Sequence, residues 1–542
     1  MQRCVMKKKI GFVIIIFFRF IYSVIAQPSE FNWVKWAGGI NEDCCFSISL
    51  DKIGNTVITG YYKDITHFWP YSFNSSGSKD IFVAKYDKLG NVLWAKSAGG
   101  SGYDEGHSIV SDESGNSIIT GIFFGTAKFD EITLNSSGGN DIFVAKYSEV
   151  GNVLWAKGAG SPEADYGWSI ETDTYENICV TGCFRKTARF DSISLSSAGD
   201  YDVFITKFDP SGDVLWAKKA GGPNSDIGHS IATDILGNIY ITGEFTEIAT
   251  FENNTIYGNG IFLAKYSSNG DLVWVKSANG TSTIVSNGVV VDRLENSFVT
   301  GNFSGIVNFG NYNLHSEGDN DIFISKYDKA GNVLWAKRAG GIANETSHDI
   351  SIDKFDNPVI VGSFVGNSNF DNINLNSVSE LPDICVVKYN QNGDVVWTKH
   401  AGGQGNDAGI SIISDNDGTN LITGFFEETA AFDNIDINSA GDRDIFVAKF
   451  IETIMISDSI APESPKNVQA IPGDSRITLS WDQNTELDLS YYNIYRYQNQ
   501  GFTPTESNLL TTVLKPASDY IDLDVINDQT YYYRISAVDS SG

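Results

Sequence analysis

Positive charge is scarce in this chain. Its 542 residues carry 38 Lys+Arg against 67 Asp+Glu, a formal charge of −29. Phosphate backbones and anionic lipid heads need a basic face, which excludes a broad nucleic-acid footprint and docking on acidic membranes. Cysteine is sparse too, with 6 in all. Cys4 belongs to an N-terminal leader, so Cys44, Cys45, Cys179, Cys183 and Cys385 remain, an odd set too small for a disulfide framework. Cys179 and Cys183 share one face of a predicted strand, where their Cα atoms stand too far apart to bridge. No CxxC pair and no Cys/His cluster at zinc spacing occurs, so these thiols read as small buried apolar side chains. HExxH, GxSxG, a phosphate loop and a strand-linked GxGxxG with its acidic follower are also missing, which removes the usual grammar of zinc proteases, serine hydrolases and nucleotide enzymes. Only 3 Met and 12 Pro accompany 53 Gly, and no stretch keeps a helical period. With 42% hydrophobic and 13% aromatic residues, the chain can nevertheless bury a large core, one built of strands and turns.

The first 26 residues have the order of a secretory signal peptide. Lys7, Lys8 and Lys9 precede an apolar run from Ile10, broken by Arg19 and resumed to Ile25, and Val24-Ile25-Ala26 offers a cleavage site before Gln27. An uncleaved anchor is the alternative, but the uninterrupted run is too short to span a bilayer. Five of the 38 basic residues and none of the acids lie in this leader, so the chain from Gln27 onward carries −34. No later segment resembles a membrane span. The expected location is secreted or at the cell surface, with no membrane insertion once the leader is removed.

An internal repeat decides the architecture. Trp33, Trp94, Trp155, Trp216, Trp274, Trp335 and Trp397 recur at spacings of 61, 61, 61, 58, 61 and 62 residues, three of them at the end of Gly-Asn-Val-Leu-Trp and three at the end of variants of it. Each unit carries four strand-like pieces, as in GHSIVSD (106–112), SIITGIF (117–123), DIFVAKY (141–147) and NVLWAK (152–157), joined by Gly-Asn and Gly-Asp hairpin turns. A loop of about seventeen residues, with Phe129, Ile132 and Leu134 as apolar points, separates the second piece from the third. Seven such units fit an all-β, seven-bladed β-propeller of four-stranded blades over 27–450, and a solenoid would need polar caps at both ends. The last unit ends at Phe450 without its fourth strand, while a spare strand lies at 32–37, which is expected to complete the seventh blade and close the ring.

These motifs, [IV]-T-G-x-F, F-D-x-[IL]-x-L, D-I-F-V-A-K-Y and G-N-V-L-W-A-K-x-A-G-G, resemble the seven-bladed β-propeller repeat of bacterial exported proteins (the SBBP type). The resemblance covers roughly residues 31–450 and implies a fold without shared catalytic residues. After a linker at 451–459, residues 460–542 resemble a fibronectin type III domain, an immunoglobulin-like β-sandwich. Trp481 matches that family's buried tryptophan and Tyr531 its tyrosine corner; together they would mark the sandwich core. The chain stops after the sixth of seven expected strands, so it reads as a fragment of a longer surface protein.

Carboxylates recur where the chain enters the first strand of a unit: Asp43, Asp104, Asp165, Asp226, Glu345 and Asp407. A second series, Asp80, Asp141, Asp202, Asp321, Asp383 and Asp444, precedes the third strand, with Gly260 as its exception. Two such rings on one face could attract Ca²⁺ or a cationic ligand. A residue repeated in every blade is more simply a turn device, since Asp accepts backbone N–H bonds. No other metal or cofactor is expected. Gly260 and the acid-free loop 281–288 break the pattern, making their neighbourhood a place to look for a groove. His107, His229 and His348 share one repeat position with Phe46, Trp168 and Ile410, so they read as packed side chains.

The leading expectation is a monomeric, non-enzymatic binding or scaffold protein whose propeller recognises an extracellular glycan or protein. The alternative is an extracellular enzyme acting on polysaccharide, with a pocket at the propeller mouth. A quinoprotein dehydrogenase is a lesser version of it: A-K-Y-D-K-L-G-N-V-L-W is similar to the tryptophan-docking repeat, and Cys44-Cys45 could form a vicinal disulfide. Its Asp-to-Gly spacing is one residue short, however, and the repeat number is seven rather than eight.

Overall fold

The computed structural model describes residues 24–456, 462–484, 489–514 and 517–539; most of the leader lies outside them. The chain divides into two units, Pro28–Thr453 and one that includes Ile454–Gly542. Among the described residues all regular structure is β except a 3-10 turn at Glu506–Asn508, and no helix is long and apolar enough to cross a membrane.

The N-terminal unit opens with β1 (Val24–Gly39), β2 (Cys44–Leu50), β3 (Thr56–Tyr62), β4 (Ile65–Phe68), β5 (Tyr71–Asn74), β6 (Asp80–Tyr86) and β7 (Val92–Gly100). Strands β2, β3, β6 and β7 pair antiparallel in that order. The two central strands, TVITGYY and DIFVAKY, are buried at every position. That is why they read as unbroken apolar runs rather than alternating ones. The turn between β2 and β3 is closed by Asp51, whose Oδ1 accepts the N–H groups of Ile53 (3.1 Å) and Asn55 (2.8 Å) while Oδ2 accepts Asn55 Nδ2 (2.9 Å).

The long loop expected between the second and third strands is a β-hairpin, β4–β5 in the first unit. In the second unit it extends the neighbouring strands, so that β8 (Glu105–Ser111) is followed by β9 (Ser117–Phe129). Phe129, Ile132 and Leu134 form its two arms, and Asp130 makes the tight turn at φ 48°. Each hairpin reaches back to the outer strand of the preceding unit. Gly99 pairs with Lys128, Gly221 with Thr250, Gly280 with Val307, Gly341 with Ser368 and Gly403 with Ala430. β1 makes the same contact with the first unit, Gly38 opposite His67, and on its other side hydrogen-bonds to the strand Asp444–Ile456. That strand runs to Ile456, past the start of the segment read as a linker, with β1 beside it.

The tryptophan period follows from a second link between units. The indole N–H of Trp94 donates to Glu149 O (2.8 Å), that of Trp274 to Lys329 O (3.1 Å) and that of Trp335 to Gln391 O (3.0 Å), each in a turn of the next unit. The ring covers a glycine in that turn. A Cβ on Gly151 would sit 2.8 Å from Trp94, and the residue has φ 85°. Gly125 has a similar φ of 75° with nothing within 4 Å of a Cβ. Gly151→Ala is therefore expected to lower the melting temperature clearly more than Gly125→Ala, because only the first adds a clash to the backbone strain of about 1 kcal/mol. Equal shifts would show that the indole contact contributes nothing.

Buried lysines hold the turns from inside. Lys85 meets Asp51 (2.9 Å), Lys146 meets Asp112 (2.8 Å) and Lys207 meets Asp173 (2.7 Å), all nearly inaccessible to water. Lys85 Nζ also donates to Gly115 O of the next unit (3.0 Å).

The C-terminal unit contains two three-stranded antiparallel sheets. One is ordered Gln469–Gly473, Arg476–Ser480, Asp519–Asp522 and the other Leu509–Leu514, Leu489–Tyr497, Tyr532–Asp539. Leu479, Trp481, Leu489, Tyr492 and Ile494 form its core, with Trp481 edge-on to Tyr492 at 5.2 Å. Tyr531 sits outside that cluster. Its hydroxyl accepts the Ile526 N–H (3.2 Å), and Tyr533 is the tyrosine that packs on the core from this strand.

Candidate functional site

The six repeated carboxylates at the first-strand entrances are completely buried, at 0% exposure for Asp43, Asp104, Asp165, Asp226, Glu345 and Asp407. Their oxygens are engaged by the backbone. Asp104 Oδ2 accepts the N–H of Gly100 (2.8 Å), at the end of the preceding outer strand, and its Oδ1 accepts that of Phe124 (3.1 Å). Asp165 takes Ser161 and Arg185 in the same way, Asp226 takes Gly222 and Thr246, and Asp407 takes Gly403 and Glu427. Glu345 accepts from Gly341 N–H and from Ser368 Oγ (both 2.8 Å). Asp43 Oδ1 accepts the Lys63 N–H (3.1 Å). These side chains clamp one unit to the next. Among the described residues no group of three or more His, Cys, Asp or Glu is placed to hold a metal ion.

The second series stands beside the first, so each junction brings two carboxyls together. Burial pushes Asp43 up to about 8, and Asp444 adds to the rise. Burial raises Asp104 to about 7 with Asp80 adding, and Asp407 to about 7 with Asp383 adding, while backbone N–H bonds oppose both. At the acid-free junction neutral groups take over. Ile306 N–H donates to Thr281 Oγ1 (3.0 Å), Ser304 Oγ to Ser282 Oγ (3.0 Å) and Asn279 Nδ2 to Tyr257 O (3.2 Å). The place where the pattern fails in sequence is thus filled by polar contacts.

The asymmetry that matters lies in the first three units. Lys79 Nζ sits 3.5 Å over the Tyr61 ring and 3.2 Å from Glu105, with Glu42 at 3.5 Å. Glu105 is buried, yet hydrogen bonds from His107 and Tyr103 and the charge of Lys79 hold it below the usual carboxylate range. His107 stacks on Trp168 (4.5 Å between centroids, 10°), and Trp168 stacks on Tyr166 (5.5 Å, 5°). Tyr166 meets Tyr201 edge-on at 6.0 Å; Arg185 lies 3.9 Å over Tyr201 and pairs with Asp200 at 2.5 Å. A stacked aromatic run, ended edge-on by Tyr201, is thereby fixed between charged pairs.

The histidine position turns out to be a β-bulge in each first strand, with the register shifting between Gly106 and Ser108, between Gly167 and Ser169, and between Gly228 and Ser230. The bulged residue leaves the ladder, which re-aims its side chain. Phe46, His107, Trp168 and His229 consequently touch in sequence from unit to unit. His107 is buried, whereas Trp168, His229 and His348 are half-buried rather than fully packed. Burial lowers His348 to about 4. Sequence reasoning passed over Lys79, Tyr103, Tyr166, Arg185 and Tyr201. The available signal was the variable column next to the constant one: the residue before the second carboxylate, or before Gly260 in its place, is Lys79, Asn140, Tyr201, Asn259, Asn320, Pro382 or Arg443.

Elsewhere, an apolar cleft of about 100 Å³ is lined by Ile142, Val144, Phe190, Phe204 and Val214, with Lys157 and Asp191 as its ionisable groups. It lacks the convergent polar groups that would orient a reacting substrate. All five described cysteines are free and buried, Cys44 and Cys45 included, and burial raises each thiol, Cys45 to about 12.

A family model described as a β-propeller repeat matches residues 215–244. An uncharacterized WD repeat-containing protein of Acanthamoeba polyphaga mimivirus is 24% identical over 508 residues, 74% of this chain and 36% of that protein. An amylopullulanase of Thermoanaerobacterium thermosulfurigenes is 36% identical over 85 residues, 16% of this chain and 4% of its own length. Among solved structures, a puromycin hydrolase mutant aligns over 82% of this chain and 59% of its own at 7% identity, with a TM-score of 0.40. The chain thus spans about a third of the viral relative's length. The repeat match and the viral relative support a β-propeller repeat protein.

Proposed function

We propose that this is a secreted or surface-displayed binding protein without catalytic activity, and that it recognises an extracellular glycan. Pro28–Thr453 would be a seven-bladed propeller closed by β1, and the C-terminal unit a fibronectin type III-like spacer. The observation that carries the reading is the aromatic and charged cluster from Tyr61 to Tyr201. It departs from the repeat in consecutive units, beside carboxylates that the backbone already occupies. The half-buried rings of Tyr166 and Tyr201 at the end of the stack offer aromatic surface against which a sugar ring can pack, and Asp200 and Arg185 supply a fixed acceptor and donor for hydroxyls. A structural frame alone would need none of this variation.

The test is a glycan array probed with and without calcium, followed by a hydrolysis assay on each hit. The expected result is calcium-independent binding that Tyr166→Ala or Arg185→Ala weakens about five- to thirtyfold, since one well-placed aromatic or guanidinium contact is worth about 1–2 kcal/mol. Turnover of a bound glycan would replace this reading with the polysaccharide-acting enzyme, a second reading that the short amylopullulanase similarity favours. Binding to a protein ligand with no glycan hit would assign the same surface to protein recognition.

A further inference from the structure

We propose that the paired carboxyls at the unit junctions hold a proton, carried on Oδ1 of Asp80, Asp141 and Asp383, so that the N-terminal unit is an acid-stabilised fold. At each of these junctions both carboxyls are buried, with exposures of 2%, 3% and 0% for Asp80, Asp141 and Asp383 and 0% for Asp104, Asp165 and Asp407. The entrance carboxylate accepts two backbone N–H groups, which suits its ionised form. Its partner is only half satisfied. Oδ2 of Asp80, Asp141 and Asp383 accepts the N–H of Ser76 (3.0 Å), Ser137 (2.9 Å) and Val378 (2.7 Å), while Oδ1 of each is buried without a hydrogen-bond partner.

At the Asp80–Asp104 junction the unpartnered oxygen borders the other carboxyl. A Cβ placed on Gly99 would lie 3.0 Å from Asp104 Oδ2 and 3.1 Å from Asp80 Oδ1, so both oxygens flank one glycine hydrogen. A buried carboxylate oxygen without a donor is costly, and two buried carboxylates side by side cannot both ionise freely. One proton removes both penalties: it turns the orphaned oxygen into a donor and halves the charge of the pair. The pair then titrates as a unit.

Two junctions solve the same problem differently. Asp202 Oδ2 accepts Lys219 Nζ (3.1 Å) and Asp321 Oδ2 accepts Arg338 Nη1 (2.7 Å), so a cation offsets the charge of the pair there, although Oδ1 of each is buried without a partner as at the other three. At the junction made by β1, the Gly39 N–H donates to Asp444 Oδ1 (3.1 Å), and the orphaned atom is Asp43 Oδ2. The other charged groups facing the three proton-holding pairs are Glu163, beside Asp165, and Glu427, beside Asp407, and both push toward protonation. Tyr62, Cys183 and Cys385 nearby are held neutral by burial. Burial, opposed by the N–H bonds, brings Asp80, Asp165 and Asp383 to about 6 and Asp104, Asp141 and Asp407 to about 7, so both members of each pair are raised and the unpartnered oxygen is what places the proton on Asp80, Asp141 and Asp383.

The folded pairs therefore bind protons more tightly than unfolded Asp, which titrates near 3.9. Their contribution to stability is complete below the unfolded value and is lost as pH rises to and through the folded values of about 6–7. The turn carboxylates Asp51, Asp112 and Asp173 have lowered values and act oppositely, losing stability only as pH falls through the acid range below about 4.

The experiment is thermal melting at pH 5.5 and pH 8.0 at one ionic strength. The native chain is expected to melt about 5–10 °C higher at pH 5.5. In the triple variant Asp80→Asn, Asp141→Asn, Asp383→Asn, each carboxamide oxygen can keep the backbone N–H while its NH₂ takes the place of the Oδ1 proton. That variant is expected to melt higher than the native chain at pH 8.0 and to lose at least half of the pH difference. Glu131→Gln, Asp319→Asn, Glu380→Gln removes three charges at exposed positions and is expected to keep the native difference. A native melting point that is flat or falls on acidification would overturn the proposal, as would an unchanged slope in the triple variant. Should the variant not fold, infrared detection of protonated carboxyls in the native chain at pH 5.5 decides, and their absence refutes it. A rise on adding Ca²⁺ at pH 8.0 that the triple variant lacks would assign the junctions to a cation instead.

Discussion

A chain beginning at Gly38 is expected to melt roughly 5–10 °C below one beginning at Gln27, and to aggregate on heating. At about 2 cal/mol/K of unfolding entropy per residue, a unit of this size shifts by about 1 °C per kcal/mol. The loss is that large because β1 serves two units at once. Phe31 packs edge-on against Phe432 (5.2 Å) and Phe450 (5.5 Å), and its N–H donates to Asp433 Oδ2 (2.8 Å). Lys399 Nζ reaches Ser29 O (3.0 Å) and lies 4.2 Å from the centre of the Phe31 ring. Trp33 donates to Lys88 O (3.1 Å) in the first unit. Truncation removes a buried Phe, a half-buried Trp and a row of strand hydrogen bonds, together worth about 5–10 kcal/mol. It also exposes one edge of the strand Asp444–Ile456, an invitation to pair with another copy. Differential scanning calorimetry of the two chains decides the matter; coincident melting curves would mean that β1 holds nothing together.

Lys207→Met is expected to destabilise the N-terminal unit by about 3–5 kcal/mol, the usual result of leaving one buried charge without its partner. Lys207 Nζ lies 2.7 Å from Asp173 Oδ2, and the two side chains are 4% and 0% exposed. The lysine also donates to Ser268 O (3.0 Å), so its removal weakens the contact between successive units as well. Asp173 stays ionised against the cost of burial because Asn177, Lys207 and two backbone N–H groups hold it below the usual carboxylate range. The double variant Lys207→Met, Asp173→Asn should recover part of the loss, since the remaining turn bonds need an acceptor but no charge. Urea titration of both variants measures this. A double variant no better than the single one would show that packing, rather than the stranded carboxylate, sets the penalty.

The repeat and its turns were legible for a local reason. A tryptophan every 61 residues marks an indole that must cover the turn glycine of the next unit, as Trp94 covers Gly151, and that geometry tolerates little drift. Asp51 and Asn55 likewise satisfy each other within five residues, so their pattern announces the turn. The hairpin read as a loop was not legible in this way. Its arms in the second unit, around Phe129 and Ile132, are too short to alternate convincingly, and one of them pairs with Gly99 and Gly100 of the unit before.

Composition and periodicity alone determined that the chain is all-β, built from a tryptophan-marked repeat, acidic and without a disulfide framework, because each of these depends on residue identity or short spacing. Only the tertiary structure decided which carboxylates meet. Asp80 and Asp104 belong to different units, and nothing in their spacing says that they flank the same glycine. The structure likewise moved attention from the acid-free junction near Gly260 to the stack of His107, Trp168 and Tyr166. Those residues come together because a bulge turns one side chain per unit out of its ladder, and a contact between neighbouring bulges exists only once the units are packed side by side.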